Sequence, residues 1–224
     1  MRLVLLSLAA GLAACSALPP EPVVPLRAGE GAAGLTLDIP VSGDRPGGLS
    51  IWGGLGVGGG VDASLSIDAP LSLIAELGAV GRGDRPFLPP GIALRKSFAN
   101  GAAIGVGVAS LRTPLEPAPP LRGLMSMTVG PFVSVGSADA EGPAVARASA
   151  HLVHEVRVTR RDSVASVRRG LALWGVGRAG PVVRPSNGAV VPGARVTAGA
   201  WLASPRDVSV TAGPTVEGVG ALSD

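Results

Sequence analysis

The stretch AVARASAHLVHEVRV, residues 144–158, sets the period by which the rest of the chain reads. Ala144, Ala146, Ala148, Ala150, Leu152, Val156 and Val158 fall on one parity. Arg147, Ser149, His151, Glu155 and Arg157 fall on the other. Alternate side chains of an extended strand point to opposite faces, so the pattern predicts one apolar and one polar face. A helix would instead bring its apolar residues back at intervals of three and four.

The same parity recurs outward from this stretch. Val61, Ala63, Leu65 and Ile67 alternate with Asp62, Ser64, Ser66 and Asp68. Met125, Met127, Val129, Val133 and Val135 alternate with Ser126, Thr128, Gly130, Phe132 and Ser134, and Val208, Val210, Ala212 and Val216 with Ser209, Thr211, Gly213, Thr215 and Glu217. Turn-forming clusters separate the runs: Gly43–Gly48, Asp68–Pro70, Gly81–Pro86, Arg161–Ser163 and Ser204–Asp207. Asn100-Gly101 lies between two alternating runs, a strong two-residue hairpin signal. Gly58-Gly59-Gly60 reads as a turn or a bulge. Strands are expected at 35–42, 49–58, 61–68, 71–80, 92–99, 102–111, 123–135, 144–158, 164–178, 193–203 and 208–221. Pro-rich loops are expected at 112–122 and 179–192. Many consecutive strands on short connections predict an all-β, antiparallel, up-and-down barrel of about 8–11 strands, because closure removes the exposed edges.

Composition narrows the function classes. The 224 residues hold 34 Gly and 21 Pro, are 46% hydrophobic and only 16% charged, and include one Cys. A charge-rich helical bundle, a zinc finger and a disulfide scaffold are excluded by these proportions. The net charge of +3 is spread rather than gathered on one face, so no nucleic-acid partner is expected. A solvated face would carry Lys and Glu in number. Here the second face is Gly, Ser and Thr with sparse Arg, Glu and Asp, which suits the packed interior of a small membrane barrel. Against that reading, the chain has only three Trp, three Phe and no Tyr with which to build aromatic girdles. It also ends in Val219-Gly-Ala-Leu-Ser-Asp224, without a terminal aromatic. The alternative is a tethered soluble β-barrel that binds a small apolar ligand or a partner protein.

The first residues have secretory-signal anatomy: Arg2, then an uncharged apolar run from Leu3 to Ala14 that is too short to span a bilayer as a helix. The junction Leu12-Ala13-Ala14-Cys15 resembles the lipobox of bacterial lipoproteins, and the likeness covers about the first 16 residues. It implies cleavage before Cys15, a diacylglyceryl group on its sulfur and an acyl chain such as palmitate on its amine. Ser16, where Asp would imply inner-membrane retention, implies the outer membrane. The expected organisation is a signal peptide at 1–14, a lipidated Cys15 with a Pro-rich tether to residue 33, and a barrel at 34–224. Four prolines between Pro19 and Pro25 favour extended polyproline-like backbone in that tether.

Motifs with chemical potential are few. His151 and His154 are three apart, so a strand sends them to opposite faces and no metal site is expected. Gly54–Gly59 satisfies G-x-G-x-x-G, but a strand pattern follows where a dinucleotide site needs a helix. Asp62, Asp68 and Glu76 could serve as paired carboxylates, although Asp at strand ends is usually solvated. No nucleophile motif, phosphate loop or thiol site occurs, so neither catalysis nor a cofactor is expected. Arg147, His151, Glu155, Arg157, Arg168 and Glu217 are expected to form a lumenal polar network, paired rather than open, because unpaired buried charge is costly. The expected protein is a lipid-anchored outer-membrane barrel with a structural, envelope or passive-passage role. Its expected partner is membrane lipid, through Cys15 and the barrel wall.

Overall fold

The computed structural model describes residues 18–43, 48–70, 91–112, 124–161, 164–186 and 188–221. Ten strands follow in chain order: β1 (Glu30–Ser42), β2 (Gly48–Gly58), β3 (Val61–Pro70), β4 (Gly91–Ser97), β5 (Ala102–Arg112), β6 (Leu124–Gly136), β7 (Ala144–Arg161), β8 (Val164–Pro181), β9 (Ala189–Trp201) and β10 (Ser204–Ala221). Each pairs antiparallel with its sequence neighbours, and β1 pairs with β10 from Glu30↔Ala221 to Ser42↔Val210. The sheet is therefore a closed up-and-down barrel, as the alternation predicts. Closure joins the first strand to the last, so neither is left as a free edge strand.

Turns sit where local chemistry demands them. Gly58, Gly59 and Gly60 all take positive φ (115°, 58° and 74°), so this triplet turns the chain between β2 and β3. In the Asn100-Gly101 hairpin, Gly101 has φ 79° and Ala102 N–H donates to Asn100 Oδ1 at 3.1 Å. Ser204–Asp207 is not the turn its composition suggests. The chain reverses at Leu202 and Ala203, and β10 starts at Ser204 with a register shift before Ser209. The expected strand at 71–80, the turn at 81–86 and, beyond Arg112, the loop at 112–122 lie outside the described residues.

Parity decides what each strand shows to each side. The row Ala144, Ala146, Ala148, Ala150 and Leu152 points outward, while Val145, Arg147, His151, Val153 and Glu155 are buried within. Large exposed aliphatics stand on all ten strands, including Leu35, Ile51, Leu65, Leu94, Ile104 and Val133. The aromatics do the opposite. Trp52, Phe132, Trp174 and Trp201 are all buried inside, and only Phe98 is exposed among the described residues. The scarcity of girdle residues has a simple cause: the large rings fill the interior.

Inward glycines make room for those rings. A Cβ on Gly34 would meet the Trp52 indole at 2.5–2.7 Å. Gly105 lies under the Phe132 ring and Gly199 under the Trp174 ring in the same way. Gly177 on the outer wall has nothing within 4 Å. Gly199→Val should therefore cost about 1–3 kcal/mol of unfolding free energy through overpacking. Gly177→Val should stay within about 0.5 kcal/mol. Denaturant titration in detergent micelles, followed by Trp fluorescence, measures both.

Candidate functional site: a polar lumen filled by the N-terminal segment

A barrel of eight strands is just wide enough for side chains to fill; ten strands enclose more space. The inward face makes that space larger still, because it carries Ala93, Ala103, Ala109, Ser64, Ser66 and several glycines. Residues 18–26 occupy it. Leu18, Val23, Val24 and Leu26 are 2–5% exposed, and Pro19, Pro20 and Pro22 are buried as well. The stretch expected to stand off the body as a tether thus runs, from residue 18 onward, through the barrel interior. Its aliphatic residues explain the difference. Four of them interleave with the prolines, and each buried aliphatic side chain contributes about 1.5–3 kcal/mol.

The segment contributes to each of three buried apolar clusters. Leu18 packs with Val153, Ala172, Trp174 and Val176. Val23 and Val24 pack with Val145 and Val191. Leu26 packs with Ala32 and Trp52. Gly54 accommodates Leu26 and Pro22 at 3.4 Å from the position of a Cβ, and a Cβ on Gly107 would collide with Pro19.

Prolines at 19, 20, 22 and 25 strip the segment of amide donors but leave every carbonyl in need of one. Wall side chains supply them to five consecutive carbonyls. Ser64 Oγ donates to Pro20 O at 2.8 Å, and Arg178 Nη1 to Glu21 O at 2.7 Å. Arg95 donates to Pro22 O at 2.6 Å and to Val24 O at 2.8 Å. Arg147 Nε donates to Val23 O at 2.8 Å. The Val23 N–H in turn donates to both oxygens of Glu217, at 2.9 and 3.1 Å.

The charges that hold the segment are themselves paired. Arg95 meets Asp62 through Nε and Nη2 at 2.8–3.1 Å, with both side chains 1% exposed. Arg178 Nη2 meets Glu217 Oε2 at 2.8 Å, and Arg195 Nη1 meets Asp38 Oδ2 at 3.4 Å. Glu21, on the segment, faces Arg95 at 3.4 Å and Arg147 at 3.6 Å. A small cavity of about 30 Å³ remains beside Pro20, Glu21, Arg147, Arg178 and Arg195. The mouth at Glu30 widens to a vestibule of about 1200 Å³ beside Arg27, Phe98, Asp139 and Ser186.

The expected lumenal residues fall as follows. Arg147, His151, Glu155 and Glu217 are buried on inward parity. His151 stacks on Phe132 at 5.0 Å between centroids and shares a 3.0 Å hydrogen bond with Ser149, while His154 faces outward. Arg168 lies over the Trp201 ring at 4.6 Å and reaches Asp207 at 3.9 Å, half in solvent, away from the Arg147–Glu217 group. The Arg157 side chain lies outside the described residues. Asp62 and Asp68 are buried, not solvated: Asp62 pairs with Arg95, and Asp68 accepts from Ser50 and Ser66. Gly54–Gly59 forms strand and turn, with no helix to follow. Among the described residues, no His, Cys, Asp and Glu cluster could hold a metal.

Sequence reasoning missed Arg95, Arg178, Arg195, Asp38 and Glu21. The signal for the wall residues was available. Arg95 shares parity with Ala93 and Ser97, opposite Ile92 and Leu94, and strict parity on every strand would have gathered the inward charges.

No protein-family model matches the chain, and no curated protein matches it. Among solved structures it is similar to the N-terminal β-barrel domain of Pseudomonas aeruginosa OprF (TM-score 0.42, 9% identity, 87% of this chain and 99% of that one). It is also similar to Neisserial surface protein A (TM-score 0.41, 10% identity, 86% and 95%). A third is Ail, the attachment invasion locus protein of Yersinia pestis (TM-score 0.39, 11% identity, 86% and 98%). These are similarities of barrel architecture.

Arg95→Met should cost about 3–5 kcal/mol, because it leaves Asp62 buried without its cation. Adding Asp62→Leu to Arg95→Met should restore only the share owed to the unpaired Asp62 carboxylate, because Pro22 O, Val24 O and Glu21 still lack the donor they had in Arg95. Unfolding midpoints of the two variants in detergent measure the difference.

Proposed function

We propose that this chain is an outer-membrane β-barrel with a structural role in the envelope, its lumen closed by its own N-terminal segment. The observation that carries the reading is the outward aliphatic belt on all ten strands, set against an interior that holds the ion pairs. Strands of 10 residues or more, β4 excepted, suit the ~9–11 that cross a bilayer. Outward charges lie towards strand ends, at Lys96 on β4 and Arg169 on β8. A soluble barrel would leave this belt in water, far beyond the few hundred Å² of contiguous apolar surface a soluble monomer usually shows.

The lipid on Cys15 is part of the same proposal. The segment runs from the mouth at Glu30 inward to Leu18, at the level of Val153 and Ala172. A lumen this filled has no space for acyl chains. The proposed lipid therefore belongs in the membrane rather than in the lumen. Two or more chains make such an anchor stable, and the belt supplies a second, independent hold.

Cys15→Ser should abolish incorporation of labelled palmitate yet leave the protein in the membrane after carbonate washing. Full release of the variant would show that the barrel does not insert. Leu65→Arg, in the belt, should lower stability in lipid by about 2–4 kcal/mol if it sits near the midplane. Urea titration in vesicles measures this, and an unchanged midpoint would place Leu65 outside the bilayer.

A further inference from the structure

The geometry points to a lumen that is a recognition site for an extended, proline-rich peptide, occupied in cis by residues 18–26 and able to release them. Vacating it opens a water-filled path through the barrel; that second half rests on the membrane reading above. Two features of the lumen carry the inference. The first is chemical specificity. Five successive carbonyls, Pro20 to Val24, each receive a donor from the wall, four of the five bonds coming from Arg95, Arg147 and Arg178. Glu217 takes the Val23 amide, and Arg95 with Arg147 brackets Glu21. A peptide with proline's missing donors and one acidic side chain complements this wall. A peptide with amide N–H groups at positions 19, 20, 22 and 25 would need a further acceptor for each of them or bury it unsatisfied.

The second feature is separability. Each wall–segment bond described comes from a side chain, and the ten-stranded ladder closes through β1 and β10 without the segment. Among the described residues, three ion pairs inside the lumen join wall to wall: Arg95–Asp62, Arg178–Glu217 and Arg195–Asp38. An emptied lumen would keep these pairs and admit water to the groups that now bind the segment. The hinge is short and outside. Arg27, Ala28 and Gly29 are exposed at the mouth, and Gly29 has φ 78°.

The test uses the full chain with a site-specific protease sequence inserted between Ala28 and Gly29. The uncut protein, folded in detergent, shows that the insertion is tolerated. After cutting, a labelled synthetic peptide of residues 16–28 is added in large excess. The expected result is exchange at one peptide per barrel, together with conductance steps in planar bilayers that the uncut protein lacks. A Glu21→Gln peptide should bind about tenfold or more weakly, since a hydrogen-bonded charge is lost. A peptide with alanine for Pro19, Pro20, Pro22 and Pro25 should bind more weakly still. Should the insertion prevent folding, Glu21→Lys in the otherwise intact chain sets a cation against Arg95 and Arg147. That variant should take up the labelled peptide and conduct intermittently. Retention of the cut fragment with no peptide uptake, or equal binding of the alanine peptide, would overturn the inference. Peptide exchange in micelles by a barrel that never enters bilayers would leave the site standing and remove the membrane reading instead.

Discussion

A main chain enclosed by a barrel has to find donors for its carbonyls without help from a neighbouring strand. Here arginine side chains meet that constraint, and much of the interior is arranged around them. Arg95 touches Asp62, Glu21, Pro22 and Val24 at once. Its guanidinium suits the task because it presents five donors in one rigid fork. Lys could offer only a point charge. The bias of the sequence, eighteen Arg to one Lys, is consistent with that use, and the single Lys96 faces outward and bonds Gly59 O at a turn.

The two faces of the wall follow from different economies of size. Outside, aliphatic side chains of similar length stand on every strand. Inside, the sizes are deliberately unequal: Gly34 beneath Trp52, Gly105 beneath Phe132, Gly199 beneath Trp174, and Gly107 beneath Pro19. Each large group lies across a strand that offers no Cβ. Native packing density is reached by this pairing of large with absent rather than by uniform medium-sized residues. The segment completes the packing, since Leu18, Val23, Val24 and Leu26 join clusters that the wall alone would leave open.

Much of the fold was legible because the signals that specify it are local. Period-two alternation located nine of the ten strands to within a few residues, and the tenth, β1, in its second half. Asn100-Gly101 and the glycine triplet at 58–60 marked real turns. Ser204–Asp207 misled because Pro205 and Asp207 are turn residues by composition, while pairing to β9 and a register shift absorb them into β10. The lumenal site was half legible. Arg147, His151, Glu155 and Glu217 follow from parity on their own strands. Arg95, Arg178 and Asp38 needed the same rule applied everywhere, and Glu21 could not be found by it at all.

The sequence by itself determined the alternation, the turns at 58–60 and 100–101 and the presence of an apolar face, because each depends on residues close together along the chain. Only the tertiary structure decided that the aliphatic face lies outside and that residues 18–26 lie inside. Parity says that two faces differ but not which one is enclosed. A proline-rich stretch is extended whether it stands in water or runs through a barrel. What separates those outcomes is a set of donors contributed by Ser64, Arg95, Arg147 and Arg178, residues 38 or more positions away that closure of ten strands brings to one axis.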